Sequence, residues 1–146
     1  VWLKGNRVSR NQIMAIKEES VTEQKNSLAV CLDNILRHAG ITRNTEYDLA
    51  QGKTATTILS ENMTGVQVLD LSGCTLDAVL YYVNQDIPVL AILEDGEAVL
   101  VTGFNEFNVV IMEPATGKLY KKGMNDATAW FAENGNHFIT YMRTEN

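Results

Sequence analysis

Apolar residues follow two rhythms along this chain. Leu28, Leu32, Ile35 and Ala39 fall four, three and four apart, which puts them on one stripe of a helix. Cys31 and Leu36 widen that stripe, and Gly40 suits the left-handed position that ends a helix. Asn26 or Ser27 is the natural N-terminal cap. Residues 45–51 and 54–62 read as two short helices separated by Gly52. Thr75 and Asp77 start another, which runs through Leu76, Val79, Leu80 and Val83. A rhythm of two marks Val66–Leu71 as a strand.

Beyond Pro88 the pattern is mainly that of strands and tight turns. Val89–Leu93 reads as a buried strand, and Asp95-Gly96 is a strong hairpin signal leading into Ala98–Phe104. Val109–Met112 follows, then the turn Glu113-Pro114-Ala115-Thr116-Gly117, then Lys118–Lys121. Asp126–Glu133 reads as a short helix and His137–Met142 as a last strand. At the other end, Val1–Leu3 reads as a short strand. Ser9 to Gln12 forms a capping box for a short helix carrying Ile13, Met14 and Ile16, and 20–25 is a polar loop.

Helices first and strands afterwards imply an α+β fold, with the N-terminal helices packed on a mostly antiparallel sheet. Hairpin-length links between the later strands exclude a doubly wound parallel sheet, which needs long crossovers. At 146 residues the expectation is one domain over 1–146, with 1–25 as an N-terminal extension.

Composition narrows the function classes. Hydrophobic residues make up 45% and charged residues 21%, which argues against disorder. The net charge of −6 makes nucleic acid a poor partner, because phosphate recognition needs a basic face. The charge is uneven: residues 1–25 carry five basic and three acidic side chains, the remainder seven and fifteen. An acidic body favours a basic partner.

Two cysteines, Cys31 and Cys74, are too few for a disulfide framework, although one bridge stays open. His38 and His137 have no partner at metal-ligand spacing, so neither a metal nor a cofactor is expected. The apolar run Pro88–Leu93 is too short to span a bilayer. A chain starting at Val1 is expected to be part of a longer protein, whose missing portion would hold any signal or anchor. The compartment stays open.

Three segments then carry a resemblance. Ser27-Leu28-Ala29-Val30-Cys31-Leu32-Asp33-Asn34-Ile35-Leu36-Arg37-His38-Ala39-Gly40 matches in length a motif that starts C-G-P-A and closes on Gly. Glu97-Ala98-Val99-Leu100-Val101-Thr102-Gly103-Phe104 matches H-A-V-V-V-T-G-Y, and Glu113-Pro114-Ala115-Thr116-Gly117 matches D-P-x-x-G. Trp130-Phe131 to His137-Phe138-Ile139 looks like the closing helix and strand. Together these resemble the papain-like cysteine peptidases of family thirty-nine, bacterial enzymes that process double-glycine leader peptides. The resemblance implies a papain-like fold with a nucleophile at the start of a helix, where the dipole lowers a thiol pKa.

The same resemblance implies that all three catalytic positions are replaced. Ser27 stands for the Cys, Glu97 for the His and Glu113 for the Asp. A serine without a base is a poor nucleophile, and a carboxylate is a weak base at neutral pH. The family places a Gln six residues before the nucleophile to assist the oxyanion hole. Here that position is Val21, with Gln24 nearby but out of register as the oxyanion candidate.

Each of these residues also has a plainer reading. Ser27 is an N-cap, Glu97 an exposed hairpin residue, and Glu113 the start of a turn. Cys31 is the rival nucleophile, but its place on the apolar stripe reads as core. His38 suits the C-terminal end of its helix, and His137 an edge or surface position. The function expected is a peptidase-like domain without catalysis, binding a peptide or protein segment, basic in character, in the former substrate cleft. An active cysteine peptidase using Cys31 and a structural interaction module of a larger protein are the alternatives.

Overall fold

A computed structural model describes residues 12–13 and 26–144. The elements are β1 (Gln12–Ile13), α1 (Ser27–His38), α2 (Thr45–Ala50), α3 (Ala55–Asn62), β2 (Val66–Asp70) and α4 (Leu76–Val83). Then come β3 (Val89–Ile92), β4 (Ala98–Phe104), β5 (Asn108–Glu113), β6 (Lys118–Gly123), α5 (Met124–Glu133) and β7 (Phe138–Arg143).

The strands form one sheet in the order β2-β7-β3-β4-β5-β6, with β1 pairing to β4. Every pairing is antiparallel. The fold is therefore α+β, with helices near the N-terminus and an antiparallel sheet after them. The Asp95-Gly96 hairpin joins β3 to β4 in a regular register, Val89 opposite Val101 and Ile92 opposite Ala98. The register shifts between Val101 and Gly103 where β4 meets β5, so a local irregularity falls at Thr102.

Central β4 is buried at all seven positions. Alternate side chains of a strand point to opposite faces, so both faces of the sheet need cover there. Helices α1 and α4 both lie against β4. The N-terminal helices α1, α2 and α3 pack on one another, and α4 packs on α5. One apolar cluster joins α1 (Leu32, Ile35, Leu36) to α4 (Val79, Leu80), the strands (Leu90, Leu100, Ile111) and α5 (Phe131). Each such fully buried aliphatic side chain contributes about 1.5–3 kcal/mol relative to exposure.

Polar ties set how the first helices meet. Asp33 on α1 accepts from the backbone and the hydroxyl of Thr45, at 2.8 and 2.7 Å, which fixes the start of α2. Asp48 is buried and bound at two points by Arg43, Nε to Oδ2 at 2.9 Å and Nη2 to Oδ1 at 2.7 Å.

Two sequence readings are corrected. Gln12 and Ile13 do not open a helix; they form β1, opposite Phe104 and Gly103. Strand β3 covers only Ala98–Val101, so the far half of β4 offers free backbone groups that β1 takes up. Ser27 is not the cap of α1: Asn26 holds that role, its side chain accepting from the amides of Leu28 and Ala29. The strand at Val1–Leu3, the Ser9 cap, and Met14, Ile16 and the 20–25 loop lie outside the described residues, as does most of the 1–25 extension.

Candidate functional site

With Asn26 capping α1, the hydroxyl of Ser27 is released for another task. Its Oγ accepts a hydrogen bond from the backbone N–H of Ala98 at 2.9 Å. Ser27 is buried, and the bond links the first turn of α1 to the first residue of β4. Position 27 and the backbone beside position 97 are therefore neighbours.

Glu97 itself is exposed. Its amide donates to Asp95 Oδ1 at 2.9 Å, and its carbonyl accepts from Leu93 at 2.8 Å. This second bond continues the β3–β4 ladder by one pair, so Glu97 stays in the alternation of β4. Glu97, Val99 and Val101 thus share one face, and the pairing of Val101 with Ile111 puts Ile111 and Glu113 on that same face. Tyr120, opposite Ile111, joins them.

Glu113 is half-buried at the end of β5. Its carbonyl accepts from the amides of Thr116 and Gly117, at 3.3 and 2.8 Å, so it starts the turn as well as ending the strand. Gly117 adopts φ of 74°, a left-handed conformation that glycine tolerates without penalty. The negative charge of Glu113 acts on both the Tyr120 phenol and the Cys31 thiol. Burial is the larger influence on Tyr120, and Glu113 adds to it in raising the phenol above its ordinary value. Among the described residues no hydrogen bond or ion pair joins the side chains of Ser27, Glu97 and Glu113.

Cys31 lies one turn further along α1 and is fully buried. Burial first, and then Glu113, push its thiol far above the ordinary value. Both forces oppose the thiolate that a nucleophile needs. Cys74 is half-buried, and both cysteines are free, so the open bridge is not formed. Gln24 lies outside the described residues.

Neither histidine is bonded to Ser27. His38 closes α1 and contacts Asp86, with Nε2 at 3.3 Å from Oδ2 and 3.1 Å from the backbone oxygen. His137 is exposed just before β7, which fits a surface position although β7 is an interior strand, and its Nδ1 contacts the hydroxyl of Ser72. The Ser72 hydroxyl in turn donates to Asp70 Oδ1 at 2.6 Å. That bond, with the Ser72 amide, holds the Asp70 carboxyl below its ordinary range. The sequence reading missed this Asp70–Ser72–His137 chain. Its local half was visible as an Asp-x-Ser turn signal, but the histidine arrives from 65 positions away.

Among the described residues, no cluster of His, Cys, Asp and Glu could hold a metal ion. No described helix is long and apolar enough to cross a membrane. The site therefore offers a tied hydroxyl at a helix start, an exposed carboxylate on the residue before Ala98, and a second carboxylate on the same sheet face as the Tyr120 ring.

No protein-family profile matches the chain. No curated protein matches it either. Among solved structures it is similar to a Bacillus anthracis protein described as a candidate C39-like peptidase. The TM-score is 0.73 at 12% identity, over 92% of this chain and 98% of that one. Together with the α+β order of elements and the antiparallel sheet, that similarity shows that this chain has the C39-like peptidase fold.

Proposed function

We propose that this chain is a peptidase-like domain that has lost catalysis and binds an extended peptide or protein segment beside the N-terminus of α1. The observation that carries the reading is the bond from Ala98 N–H to Ser27 Oγ. In the resembling family, positions 27, 97 and 113 hold the nucleophilic Cys, the His and the Asp. Here the corresponding groups are a hydroxyl held as an acceptor by backbone and two carboxylates. A serine hydroxyl needs a base to become a nucleophile, and two carboxylates do not reproduce the acid–base cycle of an imidazole.

Losing the triad does not remove the surface around it. Exposed Glu97, half-buried Glu113 and Tyr120 share one sheet face. Carboxylates attract a Lys or Arg side chain, and an aromatic face adds a cation–π contribution. An extended segment carrying such a side chain suits this face, with backbone pairing for affinity and side-chain contacts for choice. A peptidase built on Cys31 would need a thiolate where burial and Glu113 both disfavour it.

The test is incubation of the purified chain with an extended-peptide library, half of its members containing Lys and half without. The expected result is no cleavage, retention of Lys-containing members, and loss of that retention in Glu97→Gln with Glu113→Gln. Turnover abolished by Ser27→Ala or Cys31→Ala would overturn the reading in favour of a hydrolase. Absence of both turnover and retention would leave a structural module instead.

A further inference from the structure

We infer that a second cleft, at the opposite end of α1, binds an organic monoanion: a carboxylate carried on an apolar body, gripped by Arg143 and the hydroxyl of Tyr141. The 12 residues of α1 separate this cleft from Ser27 by about 18 Å. The inference is independent of the peptide-binding reading.

The cleft measures about 630 Å³ and lies between the end of α1, the link from α3 to β2, and β7. Ile41, Met63 and Val66 supply an apolar wall. Tyr141 and Arg143 are two apart on β7 and so point to the same face, with the Arg143 guanidinium 6.0 Å from the Tyr141 ring. The link that forms the rim is held in place by the Thr144 amide, which donates to the Gly65 carbonyl at 2.9 Å. Gly65 itself sits at φ of 71°, where a side chain would be strained.

Tyr141 is only 2% exposed. Buried phenols ordinarily find a partner. Tyr141 lines the cleft, so a ligand seated there would accept from its hydroxyl. Burial raises the phenol above its ordinary value, so it remains a donor.

The charges select an anion of one unit. His38 lines the cleft and is already engaged by Asp86, with Nε2 at 3.3 Å from Oδ2. Arg143 is exposed and gives one long bond, Nη1 to the Gln85 carbonyl at 3.4 Å. Its remaining donors suit the planar, two-point recognition of a carboxylate. A dianion would meet one uncompensated cation and the Asp86 carboxylate beside it. The negative end of α1 does not oppose the ligand strongly, because the carbonyls of Ile35, Leu36 and Arg37 are taken by the amides of Ala39, Gly40 and Ile41. Asp86 adopts φ of 67°, a conformation better suited to glycine, and from there its carboxylate holds His38 at the edge of the cleft.

A carboxylate on an apolar body comes from a free aliphatic acid or from the C-terminus of a peptide. The experiment titrates the 146-residue chain with octanoate, octanamide, and a short peptide ending in Leu with a free or an amidated C-terminus, following methyl signals of Ile41, Met63 and Val66. Saturable shifts with octanoate or the free-acid peptide, and binding about tenfold weaker for the matching amide, are expected. Whichever acid binds identifies the source. Arg143→Gln is expected to weaken binding about tenfold, and Tyr141→Phe, which keeps the buried ring, severalfold. Equal binding of acid and amide, indifference to both substitutions, or no shift of these methyls with either acid in the millimolar range would overturn the assignment.

Discussion

The hydroxyl of Ser27 accepts from the backbone N–H of Ala98 across 71 positions of sequence. This bond ties the first turn of α1 to the central strand, beside the apolar packing of Leu32, Ile35 and Leu36. Removing one partner of a buried hydrogen bond leaves the other unsatisfied, at about 1–3 kcal/mol. Ser27→Ala should therefore destabilise the fold by about that amount in chemical denaturation. Native-state hydrogen exchange should show faster exchange at the Ala98 amide than in the parent chain. Unchanged stability and unchanged protection would mean that the bond is not structural.

Introducing reactive groups tests whether positions 27 and 97 face each other. In Ser27→Cys with Glu97→His, a protonated imidazole beside the new thiol should stabilise the thiolate. The pH midpoint of its alkylation should fall by about one unit or more relative to Ser27→Cys alone. Peptide mapping separates this thiol from Cys31 and Cys74. Identical midpoints in the two variants would show that the side chains do not meet.

Cys31 should behave as a core thiol. Its alkylation at neutral pH should follow the rate of unfolding, so that denaturant accelerates it far more than raised pH does, while half-buried Cys74 reacts sooner. Cys31→Ser places a hydroxyl among apolar neighbours and should cost about 1–3 kcal/mol in a denaturation experiment. Rapid modification of Cys31 in the folded chain would contradict this.

Acid stability should depend on Asp48. Its hydrogen bonds with Arg43 hold the folded carboxyl below its ordinary value, although desolvation acts in the opposite direction. Stability from this lowered value is fully present above the unfolded carboxyl value of about 4, and is lost as pH falls through the lower folded value. Asp48→Asn removes that dependence. The stability gap between parent and variant should narrow from about pH 5 toward pH 2, as read by denaturation at each pH. A gap that stays constant would show that Asp48 does not titrate in this way.

The α1 stripe, the β3–β4 hairpin at Asp95-Gly96 and the strands after Pro88 were legible in sequence because each rests on local periodicity or turn chemistry. The early strand β1 was not. Its conformation is dictated by a vacant edge on β4, which lies about 90 positions away and leaves no mark in the residues around Ile13. The cap of α1 was open between Asn26 and Ser27, and Ala98 decided it by engaging the serine. In the candidate site, the positions of Ser27, Glu97 and Glu113 came from motif spacing, whereas the neighbourhood of Glu113 with Tyr120 and Cys31 came from strand register and helix packing.

By itself the sequence determined an α+β order of elements and an apolar helix seated on strands. Those are properties of residue identity and short-range spacing. The tertiary structure alone decided that the serine hydroxyl is tied to β4, that Cys31 is sealed from solvent, and that Tyr141, Arg143 and His38 meet around a cleft. Each of these joins elements distant in the chain. Burial and cross-strand neighbours arise from how the whole core packs, so local sequence could not specify them.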